Sequence, residues 1–146
     1  MSTIASSMTA HHARCDDLFV ATEVKAAQGL WDDAARHFTR FRDEFVHHLR
    51  NEESVLFPAF ESATGVQSGP TTVMRQEHDR MRALLAQIEL ALAARDMNLV
   101  DGYTTTLLIM MQQHNLKEEN VLYPMCDAAL GESAGELVSR LERGCD

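Results

Sequence analysis

Two short stretches of the sequence place a histidine four residues before a glutamate. They read HLRNEESVLFP, which begins at His48, and HNLKEENVLYP, which begins at His114. Residues i and i+4 of a helix lie one above the other, so His48 with Glu52, and His114 with Glu118, would each present an imidazole and a carboxylate at one point. This pair of donors suits iron or another first-row transition metal. The spacing therefore indicates metal binding.

The two stretches belong to a longer internal repeat with an offset of 66 residues. The shift that places His48 on His114 also places His12 on His78, together with apolar residues on either side of them. One register thus fits two pairs of helices. The repeat predicts two similar helical hairpins in tandem, packed around an approximate two-fold axis.

Steps of three and four residues define one apolar face on each predicted helix. The faces comprise Met8, His12, Cys15, Phe19 and Thr22; Phe38, Phe41, Phe45, His48, Glu52 and Val55; Met74, His78, Met81, Leu85, Ile88 and Leu92; and Leu107, Met111, His114, Glu118 and Val121. Four histidines and two glutamates therefore occupy faces that are otherwise apolar. We expect these six side chains to lie in the core.

Buried carboxylates need compensation, because an unpaired one costs several kcal/mol or takes up a proton instead. No lysine or arginine lies on any of the four faces to pair with Glu52 or Glu118. A pair of metal ions would compensate both carboxylates, with two imidazoles for each ion and the carboxylates shared. A core in which the six side chains only hydrogen-bond to one another is the alternative, but it requires the same coincidence in both halves of the repeat.

The elements that must position these residues are long helices with short connections. We predict helices over residues 3–28, 31–61, 71–95 and 99–129 and a short last helix over 133–143. The connections lie at Gly29, at residues 65–70 and at 96–98. This pattern predicts an all-α fold, an up-and-down antiparallel four-helix bundle with a short C-terminal helix, built as two similar helical hairpins.

Composition limits the classes of partner. The chain has 146 residues, which suits one domain, and a formal net charge of −9 with no cluster of lysine and arginine. We therefore expect neither nucleic acid nor a membrane as a partner. The sequence has no signal-peptide pattern, and its three cysteines are widely spaced, so we expect a cytoplasmic protein.

The ligand pattern resembles the hemerythrin-like (HHE cation-binding) family. The resemblance covers about residues 8–130 and rests on the order His12, His48-x-x-x-Glu52, His78 and His114-x-x-x-Glu118, followed by E-E-x-x-L-[F/Y]-P. It implies a single domain over residues 1–146, with its core at 8–130 and the short helix at about 133–143. It also implies a centre of two non-haem iron ions, bridged by an oxo or hydroxo group and held by these six residues.

The sequence departs from the oxygen-carrying hemerythrins in two places. Those carriers have a further histidine four residues before the third-helix ligand, where this chain has Met74, a residue that we expect to fill the core. They also set an aspartate five residues after the last histidine, whereas Glu118 follows His114 by four. The six-ligand pattern is similar to di-iron proteins of iron–sulfur cluster repair and of nitric oxide or peroxide stress. Ferritin-like bundles differ more, because they use Glu-x-x-His with a majority of glutamates.

These patterns predict a non-haem di-iron protein that meets a small ligand such as oxygen, nitric oxide or peroxide, in stress response or iron–sulfur cluster repair. A di-iron oxidase or peroxidase-like enzyme, and an iron-storage or sensing module that signals to a protein partner, remain the alternatives. No catalytic residue is assigned. We expect His11 to be exposed, and Phe57 and Tyr123 to close the end of the bundle. Glu53 and Glu119 are either acceptors behind the ligands or solvated charges.

Overall fold

The computed structural model describes residues 2–143. The helices are α1 (Ile4–Ala27), α2 (Trp31–Asn51), α3 (Phe57–Thr64), α4 (Pro70–Ala93), α5 (Met97–Lys117), α6 (Tyr123–Leu130) and α7 (Ala134–Arg143). A first π-helical segment (Glu52–Leu56) joins α2 to α3, a second (Glu118–Leu122) joins α5 to α6, and a 3₁₀ turn (Gly131–Ser133) precedes α7. The ends of the predicted domain, residue 1 and residues 144–146, lie outside the described residues.

The predicted all-α four-helix bundle is confirmed. Helices α1 and α2 pair closely, as do α4 and α5, and these two hairpins pack together through α2 against α4 and α1 against α5. The described part of the chain contains no strand. None of its helices combines the length and the apolarity needed to cross a membrane.

Local sequence signals set the ends of the helices. The Thr3 side chain accepts from the backbone N–H of Ser6 at the start of α1, and the Asp96 carboxylate accepts from the backbone N–H of Leu99 at the start of α5. Such capping satisfies backbone donors that have no partner inside the helix. Gly65 ends α3 with a φ of 74°, in the left-handed region that glycine adopts without a steric penalty.

Two apolar clusters fill the bundle, one on each side of the polar core residues. The first holds the aromatic residues Phe19, Phe38, Phe41 and Phe45 with aliphatic side chains of α4 and α5. The second lies at the other end and includes Met8, Met74, Leu56 and Leu122, together with Leu137, Val138 and Leu141 of α7. Met74 is a core residue, as we predicted. The histidines and glutamates thus lie between two apolar layers of the core.

The π-helical segments correct the predicted inward faces. We expected Val55 and Val121 to continue these faces, but Val55 is half-buried and Val121 is 54% exposed. Leu56 and Leu122 are buried instead. The reason is the wide turn. A π-helix bonds residue i to i+5, so it rotates through a smaller angle per residue than an α-helix. The helical period of 3.6 residues does not apply across these turns.

Candidate metal centre

The fold brings all six predicted ligand residues to one level of the bundle, and all six are buried. Their side chains form two groups in which one ligand atom from each residue lies within 4.8 Å of the others. The first group, which we call position one, contains Glu52, His78, His114 and Glu118; the second, position two, contains His12, His48 and Glu118. Glu118 belongs to both groups, so the two positions are adjacent.

Several atoms in these groups are buried without a hydrogen-bond partner among the described residues. They are Glu52 Oε1, Glu118 Oε2 and the Nε2 atoms of His78 and His114. Nε2 of His78 lies only 3.1 Å from Oε1 of Glu52, but without hydrogen-bond geometry. An unsatisfied buried polar atom costs about 1–3 kcal/mol. A cation bound between these nitrogen and oxygen atoms would satisfy them, so the donor set fits a metal.

Three of the four histidines are held from behind by carboxylates. The Nδ1–H groups of His12, His78 and His114 donate to Glu119, Glu53 and Glu77 over 2.7, 2.8 and 2.7 Å. Donation from Nδ1 fixes the tautomer in which the Nε2 lone pair points into the centre. This arrangement is typical of metal-binding histidines, whose outer partners orient the ring and raise its basicity.

The sequence did not decide whether Glu53 and Glu119 are acceptors or solvated charges. In the structure both are acceptors behind predicted ligand histidines. Basic residues hold two of the outer carboxylates in turn. Arg82 donates to both oxygens of Glu53, over 2.7 and 2.8 Å, and Lys117 contacts Glu77. Sequence analysis missed Glu77, although it directly precedes His78. No rule of spacing within one helix connects Glu77 to His114 on α5.

His48 is the exception among the four histidines. Its Nδ1 atom is buried and has no hydrogen-bond partner among the described residues. The ring beside it belongs to His11, with the two ring centroids 5.8 Å apart in an edge-to-face arrangement. His11 is half-buried rather than exposed, which corrects our prediction. The physical reason is the packing of α1 against α2, which covers one side of the His11 ring.

Tyr123 reaches into the centre, where we had expected it only to close the bundle end. Its hydroxyl lies 2.6 Å from Oε2 of Glu52 and 2.9 Å from Oε1 of Glu118, and it donates its proton to one of them at a time. Burial and the two carboxylates raise the pKa of Tyr123 well above its usual value. Phe57, at the matching repeat position, instead stacks on the His78 ring with centroids 5.6 Å apart.

The π-helical segments explain why these aromatic residues point inward. The backbone N–H of Tyr123 bonds to the carbonyl of Glu118, and that of Phe57 to the carbonyl of Glu52, each five residues earlier. A residue five positions on lies about 140° around a regular α-helix. The π-helical turn brings each aromatic residue back to the helix face that carries the glutamate five positions earlier. The pattern E-E-x-x-L-[F/Y]-P alone does not reveal this change of period.

Protonation of the metal-free centre follows from burial and neighbouring carboxylates. Burial lowers the pKa of His12 and of His78, but the carboxylates beside them, Glu118 and Glu119 for His12 and Glu52 and Glu53 for His78, outweigh the effect of burial. Each pKa is raised to about 9. Burial dominates at His48 and lowers its pKa to about 3. At His114 the neighbouring Glu118 likewise outweighs burial and raises the pKa.

Comparison with known proteins gives relatives named "Iron-sulfur cluster repair protein YtfE". The protein of this name from Enterobacter sp. (strain 638) is 30% identical over 99 residues, which are 62% of this chain and 45% of that protein. The one from Cronobacter sakazakii (strain ATCC BAA-894) is 38% identical over 62 residues, 42% of this chain and 28% of that protein. The one from Escherichia coli O1:K1 / APEC is 29% identical over 98 residues, 61% and 44% respectively.

The chain thus matches less than half the length of these relatives. No solved structure shows significant similarity. The family model described as "Hemerythrin HHE cation binding domain" matches residues 3–126, which contain all six predicted ligand residues and the three outer carboxylates. This chain belongs to the hemerythrin HHE cation-binding domain family.

Proposed function

We propose that this protein binds two non-haem iron ions and that the iron meets small oxidants such as oxygen, nitric oxide or peroxide in the repair of iron–sulfur clusters. His78 and His114 would hold one ion and His12 and His48 the other, with Glu118 shared between them. Glu52 belongs to position one, and its Oε1 lies 3.6 Å from Nε2 of His48. The observation that carries the proposal is that six buried imidazoles and carboxylates form two adjacent groups that share Glu118, with four atoms of position one left without partners among the described residues.

The chemistry of the donors favours iron. Both groups consist of imidazole and carboxylate, without a thiolate, and such sites suit first-row metals that accept nitrogen and oxygen ligands. Cys15 and Cys126 are buried, and burial raises the pKa of each thiol to about 12, so neither offers a thiolate at neutral pH. The name of the relatives, which refers to iron–sulfur cluster repair, supports the same metal.

When bound, two non-haem irons supply the electrons that reduce a small oxidant. The chain's own residues prepare the place where this happens. Glu53, Glu77 and Glu119 keep protons on Nδ1, so that the Nε2 lone pairs of their histidines face inward. The apolar clusters on both sides exclude water. Tyr123 holds a proton on its hydroxyl oxygen, beside both core carboxylates.

Metal analysis tests the proposal. Anaerobic loading with Fe(II), followed by removal of unbound iron, should leave close to two irons per chain. His12→Ala should lose at least one of them, because it removes a ligand of position two. His11→Ala is the matched control: it changes the adjacent residue, which belongs to neither group, and should retain two. A chain that takes up no iron, or that holds a single zinc more tightly, would contradict the di-iron proposal.

A second measurement separates the proposed role from its rivals. Repair predicts that the iron-loaded protein restores a metal-free iron–sulfur protein in the presence of sulfide and reductant. An oxidase or peroxidase-like enzyme predicts many turnovers of peroxide or nitric oxide per chain. A storage or sensing module predicts neither. Catalytic turnover without any restoration of the iron–sulfur protein would replace the repair proposal with the enzymatic one.

A further inference from the structure

The two halves of the centre follow the 66-residue repeat except at one corner. The contact of His12 with Glu119 has its counterpart in the contact of His78 with Glu53, since each residue is displaced by 66 positions. The contact of His114 with Glu77 requires a counterpart between His48 and residue 11. Residue 11 is a histidine, and no bond to Nδ1 of His48 forms there. One of the four ligand histidines therefore lacks its carboxylate.

The missing contact makes the two positions unequal. At position one, His78 and His114 are both backed by carboxylates, and four residues offer ligand atoms. Among the described residues, three offer ligand atoms at position two, and one of these, His48, is not backed by a carboxylate. Loss of the outer carboxylate of a metal-binding histidine typically weakens metal binding about 10- to 100-fold. The smaller number of ligand residues at position two should also weaken metal binding there.

Position two also lies nearer to solvent. A cavity of about 260 Å³ lies between α1, α2 and α7, and His48 is among its lining residues, together with His11, Arg14, Glu44 and Glu142. His78 and His114 do not line this cavity. An ion at position two therefore has a short path to water along His48.

We infer that the two metal positions differ in lability and that the ion held by His12 and His48 is the one that enters and leaves, because His11 stands where the repeat would place a carboxylate. This inference rests on the proposed di-iron function and deepens it. A donor of iron needs one ion that exchanges readily, while the second ion stays bound at position one. His11 is thus a residue that sets iron release without contacting the metal.

Release of iron to a chromogenic chelator tests the inference. The anaerobic Fe(II)-loaded protein, mixed with excess chelator, should release one iron per chain about 10- to 100-fold faster than the other. His11→Glu should supply the missing carboxylate and slow the fast phase at least about 10-fold. His11→Gln is the matched control, with the same length but no charge, and should leave two separate phases.

The repeat supplies the reciprocal change. Glu77→His transfers the His11 arrangement to the other half, so that the slow phase should accelerate about 10-fold or more. The double variant His11→Glu, Glu77→His exchanges the two environments and should again release iron in two phases. Circular dichroism of each variant shows whether the bundle is retained, and Glu77→His keeps the test decisive if His11→Glu does not fold.

The outcomes separate this inference from the proposed function. Two irons that leave the wild-type chain at one rate would overturn the inference and leave the di-iron centre intact. Two unequal phases that stay unchanged in both His11→Glu and Glu77→His would overturn the role of His11. A chain that binds no iron would overturn the proposed function, and the inference with it.

Discussion

Tyr123 joins the two core carboxylates at the scale of single residues. It is fully buried, and its hydroxyl is the group that connects Glu52 of one hairpin to Glu118 of the other. A hydrogen bond to a charged acceptor contributes about 1.5–3 kcal/mol, more than one between neutral groups. Phe57 shows that the repeat does not require a hydroxyl at this place. The phenol is therefore a specific feature of the second hairpin.

Tyr123→Phe should lower the free energy of unfolding of the metal-free protein by about 1.5–3 kcal/mol, because both carboxylates lose their shared donor while the ring stays in place. Tyr103→Phe is the matched control, since Tyr103 is the other tyrosine of the chain and packs at the edge of the first apolar cluster. Urea denaturation measures both. Equal stability of the two variants would show that the hydroxyl contributes nothing.

Two π-helical segments shape the centre at the scale of the elements. Each begins at a core glutamate and is followed within the next turn by a proline, Pro58 or Pro124. Proline has no N–H, so Pro58 cannot continue the i to i+5 pattern by donating to the carbonyl of Glu53. Arg75 donates to that carbonyl over 3.4 Å. The proline thus favours a wide turn at the place where an aromatic side chain must face inward.

Deletion of the exposed residue Asn120 should convert the second π-helical segment into a regular α-helical turn. Tyr123 would then follow Glu118 by four residues, about 40° around the helix, so Tyr123 and Cys126 should keep facing the core. The deletion should therefore cost less than the about 3–5 kcal/mol that removal of a buried aromatic ring costs, and the bound iron should be retained. Thermal unfolding and iron analysis measure the two effects.

The control for this deletion is Asn120→Ala, which keeps the length of the chain and should change stability by less than about 0.5 kcal/mol. A deletion variant that loses its iron and at least about 3 kcal/mol of stability would mean that the wide turn itself, and not only the inward direction of Tyr123, is needed to position the centre.

Charge compensation in the core links the centre to the stability of the whole molecule. In the metal-free protein His12 and His78 have pKa values of about 9, above the value of about 6.5 in an unfolded chain. Their contribution to stability is fully present below pH 6.5 and is lost as the pH rises through 9. His48 acts oppositely: its pKa of about 3 means that protonation of the unfolded chain destabilises the fold below pH 6.5.

The metal-free protein should therefore be less stable at pH 9 than at pH 6.5, by a loss on the order of 5 kcal/mol for the two histidines together. With Fe(II) bound under anaerobic conditions, the protein should instead become more stable as the pH rises. The reason is that the metal must displace the protons of its ligands and binds more tightly at higher pH. Urea denaturation at the two pH values, with and without Fe(II), measures both slopes. His12→Gln should flatten the metal-free slope. A metal-free protein that gains stability towards pH 9 would contradict the assigned protonation.

Much of this protein is determined by its amino-acid sequence alone. The 66-residue repeat and the apolar faces predicted the two hairpins and the helical bundle, because the period of an α-helix is local and leaves a regular trace in the residues. The same pattern selected six histidines and glutamates that the fold brings to one level. Polar residues on an otherwise apolar helix face stand out in a sequence. Histidines and glutamates on the solvent side of the helices would have no reason to recur at the same offset of 66 residues.

Only the tertiary structure decided how these residues are supported. Glu77 meets His114, and Tyr123 meets Glu52, across distances of 37 and 71 residues along the chain. No periodicity within one helix reports such contacts, because they depend on how neighbouring helices are rotated and on π-helical turns that break the 3.6-residue period. His11 looked like a surface residue in the sequence. Its place beside His48, on which the proposed difference between the two metal positions rests, follows from the packing of α1 against α2.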